Sequence, residues 1–193
     1  MNKFILRKEI LKKRDSIDSS YKKFAAQKLV DVGKSNILNS LKLSSNPMVG
    51  GYFPIKSEID VLPLMKSLSA VGVSIALPVM QDNLQMSFSP YKLGDQLIKD
   101  KMGVLAPAVQ NHIKRLDLLL VPLVSFDLFG GRLGYGKGCY DRYLANFSKE
   151  NRPYCVGVGY DCQQLPKIEL EQYDILMDAI LTESNYIIVN KNS

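Results

Sequence analysis

The segment Leu116 to Val121 reads Leu-Asp-Leu-Leu-Leu-Val. A run this apolar, with no polar alternation, must be covered on both faces, which is the situation of a central strand in a parallel sheet. Nine residues later comes the glycine-rich stretch Gly130 to Gly138, and residues 139–147 then read as a helix. A buried strand, a glycine loop and a helix in that order bring a loop to the carboxyl end of a parallel strand, where open α/β sheets bind their ligands.

The rest of the chain agrees with that frame. Phe4, Leu6, Ile10, Leu11 and Ile17 give an imperfect helical stripe over 3–17, with Lys3, Arg7 and Arg14 to one side of it. Asp18-Ser19-Ser20 breaks this helix and offers an N-cap to a second over about 20–32, with Gly33 as its stop and a short third helix over 35–42. Strands are expected at 48–53, 73–78, 84–89, 116–121, 154–158, 180–182 and 186–189, and a helix at 60–71, while 92–112 is mixed. Strands alternating with helices predict an α/β fold, a single three-layer domain over residues 1–193 with a mainly parallel sheet flanked by helices.

Composition narrows the function classes. Three cysteines and one histidine among 193 residues leave no disulfide framework and no Cys/His zinc site. No run of 18 apolar residues is present, and the first residues lack the apolar stretch and cleavage site of a secretory signal, so a cytoplasmic protein without a membrane partner is expected. The net charge of +6 suits an anionic small molecule as well as nucleic acid.

The chemistry is concentrated in Gly131-Arg-Leu-Gly-Tyr-Gly-Lys-Gly-Cys-Tyr-Asp141. Glycines let backbone N–H groups approach an anion, the following helix start adds partial positive charge, and Arg132 and Lys137 add two full charges, which together point to phosphate. Gly131-x-x-x-x-Gly136-Lys137 is nearly a Walker A loop, but Gly138 stands where a magnesium-binding hydroxyl belongs. Asp141, one turn into the helix, is a carboxylate that could hold a metal beside the phosphates. The basic run Lys8, Lys12, Lys13 and Arg14 reads as a solvated helix face, and Cys155 as buried and inert.

This glycine-rich segment resembles the signature of the 5-formyltetrahydrofolate cyclo-ligase family. Lys3-x-x-x-Arg7, Tyr52-Phe53-Pro54-x-x-x-Glu58, Asp117 to Pro122, Phe126-Asp127 and Met177-Asp178-x-x-x-Thr182-Glu183 resemble the family in the same order, so the likeness spans nearly the whole chain. It implies ATP-dependent closure of 5-formyltetrahydrofolate to 5,10-methenyltetrahydrofolate with release of ADP and phosphate. It places Lys3, Arg7, Arg132, Gly134, Tyr135, Gly136, Lys137, Gly138 and Tyr140 on ATP. It also places Phe53 and Glu58 on the folate, and Asp141 and Asp178 on Mg²⁺.

Three positions depart from the family pattern: Cys139 where an aromatic is usual, Tyr173 where many members have histidine, and Ala106 where an acid or amide is expected. The partners expected are 5-formyltetrahydrofolate and ATP, with no nucleic acid, and the chain is expected to be a monomer. Two alternatives are a nucleic-acid-binding module, supported by charge alone and by no recognition motif, and another ATP-dependent phosphotransferase using the same loop.

Overall fold

A computed structural model describes residues 3–41, 45–113 and 115–190. Its centre is the predicted apolar run, which forms β6 (Leu118–Pro122). Leu118 and Leu120 face one side of the sheet and Leu119 and Val121 the other, and all four are buried. β6 pairs in parallel with β1 (Met48–Gly50) and β9 (Tyr154–Val158); β2 (Ser74–Met80) and β10 (Ala179–Leu181) extend the parallel set outward. Antiparallel edge strands, β3 (Met86–Tyr91) and β11 (Tyr186–Ile188), complete a seven-stranded sheet in the order β11-β10-β9-β6-β1-β2-β3.

Helices cover both faces. α2 (Ser19–Ser40) and α3 (Leu62–Ser69) bury Ala25, Leu29, Ile37, Leu64 and Leu68 against one face. α4 (Cys139–Leu144) contributes Tyr143 and Leu144 to the other, where Tyr143 packs edge-on between Phe88 and Phe147. α1 (Lys3–Asp15) buries Ile10 and Arg14. The mainly parallel α/β architecture is the one expected.

Several local details differ from expectation. Gly33 does not stop α2: the helices predicted over 20–32 and 35–42 are one element to Ser40, residue 42 lying outside the described residues. Gly33 sits where a Cβ would come within 2.7 Å of the Leu181 side chain, so its role is the close approach of helix to sheet rather than termination. Asp18 does cap α2, its carboxylate accepting from the Tyr21 N–H at 2.8 Å. The stretch 92–112 contains a small hairpin, β4 (Leu97–Lys99) with β5 (Leu105–Pro107), tied back by Asp100, which accepts from the Met80 N–H at 3.1 Å. Two short strands, β7 (Ser125–Phe126) and β8 (Arg132–Leu133), pair antiparallel immediately before Gly134 to Gly138.

Candidate active site

A cavity of about 480 Å³ opens at the carboxyl ends of the parallel strands. One wall is made by the start of α1, the glycine loop and residues 171–174. The other comes from the segment after β1, the β2–β3 turn and the β4–β5 hairpin. Of the residues singled out from sequence, Lys3, Arg7, Phe53, Glu58, Arg132, Gly134, Tyr135, Gly136, Lys137, Gly138, Tyr140 and Asp141 all line it.

The glycine loop is shaped by its neighbours. Gly136 and Gly138 hold φ of +89° and +61°, conformations that only glycine adopts without strain. The Gly134 carbonyl accepts from Arg7 Nε at 2.8 Å and the Lys137 carbonyl from Arg142 Nη2 at 2.7 Å. A side chain at Gly134 would meet nothing within 4 Å, so this backbone is open to a ligand. Gly138 caps α4 without any side-chain acceptor, leaving N–H groups of the first turn free for an anion.

Four cations border this wall, each held differently. Arg132 Nη2 donates to Asp141 Oδ1 at 2.6 Å, and its Nη1 donates to the Ile175 carbonyl. Lys3 lies 2.9 Å from Glu171 and 3.1 Å from Asp174. Partial burial alone would lower the Lys3 pKa, but its hydrogen bonds to these two carboxylates outweigh that and leave it raised. Arg7 is anchored on the loop backbone. Lys137 Nζ rests 3.8 Å from the Met102 sulfur, a weak contact, with no ion pair among the described residues.

Glu58 is the acid of the opposite wall. It is 9% exposed, among Tyr52, Phe53, Ile55, Met80, Met86 and Met102. Its Oε2 accepts from the Ile55 N–H at 2.9 Å. Burial pushes its carboxyl up to about 7; the Ile55 hydrogen bond, the Arg14 charge and a hydrogen bond from Tyr135 oppose that rise without cancelling it.

Arg14 does not lie on a solvated face. It is 1% exposed and donates to Ser57 Oγ at 3.0 Å, to the Leu123 carbonyl at 3.3 Å and to the Tyr135 hydroxyl. Its place on the Lys3–Arg7 side of α1 was the available signal, since seven residues from Arg7 return to the same face.

Asp178 is the site residue that the structure does not bring to the cavity. It precedes β10 at the amino ends of the strands, accepting from Arg152 Nη2 at 2.8 Å and from the Cys155 N–H at 2.7 Å. The carboxylates that line the cavity with Asp141 are instead Glu171 and Asp174, and Ile175, next to Asp174 in the chain, donates its N–H to Asp141 Oδ1 at 3.2 Å. Among the described residues no cluster of three or more His, Cys, Asp or Glu side chains could hold an ion alone. Two carboxylates facing a phosphate-shaped loop nevertheless fit Mg²⁺, which takes one or two protein oxygens and completes its shell with phosphates and water. Of the departures from the family pattern, Cys139 lines the cavity, Ala106 is buried in β5 behind Met102 and Val104, and Tyr173 is exposed.

The model of the 5-formyltetrahydrofolate cyclo-ligase family matches residues 1–183. The chain belongs to this family. The 5-formyltetrahydrofolate cyclo-ligase of Escherichia coli K12 is 32% identical over 142 residues, covering 70% of this chain and 78% of that one. That of Haemophilus influenzae is 31% identical over 183 residues, covering 91% and 95%. The solution structure of Aquifex aeolicus 5,10-methenyltetrahydrofolate synthetase superimposes with a TM-score of 0.81 at 28% identity, over 100% of this chain and 95% of that one. The Mycoplasma pneumoniae synthetase gives 0.69 at 26% identity, over 95% and 99%. The cavity is lined by Lys3 and Arg7, by the segment from Tyr52 to Glu58 and by the glycine loop, whereas the segment from Met177 to Glu183 lies outside it.

Proposed function

We propose that this cyclo-ligase converts 5-formyltetrahydrofolate and ATP to 5,10-methenyltetrahydrofolate, ADP and phosphate in the cavity described. The observation that carries the reading is that one cavity joins a cation-rimmed glycine loop to a buried carboxylate with apolar neighbours. The loop suits a triphosphate. Glu58, flanked by Tyr52, Phe53, Ile55, Met80 and Met86, suits a flat ring that presents an amino group and a ring N–H to one acceptor.

The formyl oxygen attacks the γ-phosphorus as the bond to ADP breaks. The neighbouring folate nitrogen then attacks the formyl carbon and gives up its proton, and the carbon–oxygen bond breaks as the oxygen leaves on phosphate. An amide oxygen is a poor leaving group and a phosphate a good one, so the protein's task is mainly alignment and charge neutralisation. Arg7, Arg132 and Lys137 hold the phosphates, Lys3 sits at the edge of that group, and Tyr140 packs behind the loop. Glu58 fixes the ring and Phe53 lines its pocket. Mg²⁺, when bound, neutralises phosphate charge; Asp141 and Asp174 would hold it, in place of the Asp141 and Asp178 pair expected from sequence.

The test is growth of near-ultraviolet absorbance from methenyltetrahydrofolate when the protein meets 5-formyltetrahydrofolate, ATP and magnesium. Growth that needs all three supports the reading. Nucleotide hydrolysis without folate turnover, or no product under varied pH and metal, overturns it.

A further inference from the structure

Arg14 is a charged side chain enclosed almost completely, and all three of its donor nitrogens are used. Enclosing a guanidinium is costly unless each donor is satisfied, so its three partners are tied to one another through it. Two of those partners are structural. The Leu123 carbonyl follows β6, and Ser57 Oγ, which also donates to Asp15, holds the segment carrying Glu58. The third is the hydroxyl of Tyr135, a residue of the glycine loop itself.

Tyr135 stands between two glycines, one of them at positive φ, so its side chain moves with the loop. Its ring lies 5.6 Å from the Arg14 guanidinium and 5.2 Å from the Lys56 ammonium, each placed over the ring face. Its hydroxyl has one proton. Arg14 has only donors, so the hydroxyl must accept from Arg14, which leaves its own proton for an acceptor in the cavity that Glu58 also lines. Arg14 thus joins Tyr135 of the glycine loop to Ser57, the residue before Glu58.

We propose that Arg14 is a positioning residue which, through the Tyr135 hydroxyl, couples occupancy of the phosphate loop to the orientation of Glu58, so that nucleotide and folate bind with positive cooperativity. The proposal rests on the reading of Glu58 as the folate carboxylate. Ordering the loop around phosphate fixes Tyr135 and, through Arg14 and Ser57, the segment that carries Glu58, so the second ligand meets a site that has already been ordered.

The experiment measures 5-formyltetrahydrofolate affinity by calorimetry with and without a non-hydrolysable ATP analogue plus magnesium. The variants are Tyr135→Phe, Arg14→Lys and the double variant. Tyr135→Phe keeps the ring between its two cations and removes only the hydroxyl, and being on the cavity wall it should fold normally even if Arg14→Lys does not. In the wild type the analogue should tighten folate binding about fivefold or more, the lower end of ordinary coupling. In Tyr135→Phe the ratio should fall to within about twofold of one, whatever happens to either affinity alone, and Arg14→Lys should add little to that loss in the double variant.

A merely structural role would weaken both affinities and leave their ratio intact. A wild-type ratio near one, or an unchanged ratio in Tyr135→Phe, overturns the proposal. Wild-type protein that binds no folate with or without nucleotide overturns it together with the functional reading, and that result is distinct from folate binding without coupling.

Discussion

Replacing Glu58 by glutamine should make the protein more stable and less active, with both effects controlled by pH. In the folded chain the Glu58 carboxyl is raised from its ordinary 4.5 to about 7, chiefly by burial. Folding therefore favours the protonated form. The contribution of Glu58 to wild-type stability is full below about pH 4.5, falls as pH rises from there through 7, and is then level. The rise is about 2.5 pH units, and at about 1.4 kcal/mol per unit the ionised carboxylate costs the fold about 3.5 kcal/mol above pH 7, as an upper bound. Glutamine keeps an oxygen for the Ile55 N–H and carries no charge. For a chain of this size the melting temperature of Glu58→Gln should exceed that of wild type by roughly 7–14 °C at pH 8 and by only about 2–3 °C at pH 5.

Activity should move the other way. Ring donors need an ionised acceptor. The groups facing Glu58 are Arg14 from α1, Lys56 from its own segment, Tyr135 from the glycine loop, and Tyr52 and Tyr140. Burial raises the tyrosines further above neutrality, so among the groups with a shift the titration between pH 5 and 8 belongs to Glu58. Wild-type kcat/KM for folate should drop about tenfold from pH 8 to pH 6, with kcat/KM for ATP changing far less. In Glu58→Gln the folate value should be low and flat with pH. Scanning calorimetry at pH 5 and 8 with initial rates across that range decides the matter. A melting difference independent of pH, or a folate profile that bends at the same pH in both proteins, would refute the assignment.

Lys137→Ala should raise KM for ATP about ten- to a hundredfold and leave the melting temperature within a degree or two, because the amine makes no ion pair among the described residues. Asp178→Asn should lower stability by about 1–3 kcal/mol through the Arg152 and Cys155 contacts and leave the magnesium concentration for half-maximal rate unchanged. Asp141→Asn and Asp174→Asn should each raise that concentration; normal metal dependence in both would mean that ATP carries the metal without these carboxylates.

The fold was legible where residue patterns are local. An unalternated apolar run has no stable place except between two covered faces, so β6 followed from Leu118 to Val121 alone, and Asp18 announced the start of α2 through its capping chemistry. Gly33 was misread because glycine has two uses. It ends helices by adopting positive φ, and it lets a helix approach a neighbour, here Leu181; the second depends on a strand 148 residues away in the chain. The β4–β5 hairpin was hidden because its strands are three residues each and are held by Asp100 rather than by a hydrophobic pattern.

In the candidate site, the glycine loop could be read because its chemistry is contiguous in sequence, and Glu58 only through resemblance, since a lone acid in a loop carries no local mark. Asp174 and Asp178 differ by a single helical turn in sequence spacing, yet the chain between them crosses from the cavity to the amino ends of β9 and β10. Spacing could not say on which side of that crossing the useful carboxylate falls. Arg14 shows the same limit from the other direction. Lys8, Lys12 and Lys13 surround it with like charge, so composition favours solvent, while the partners that stabilise its burial lie 43, 109 and 121 residues away. A helix face is assigned to water or to protein by what packs on it, and for Arg14 the decisive neighbour was a tyrosine in the very loop that Arg7 anchors one turn from the helix start.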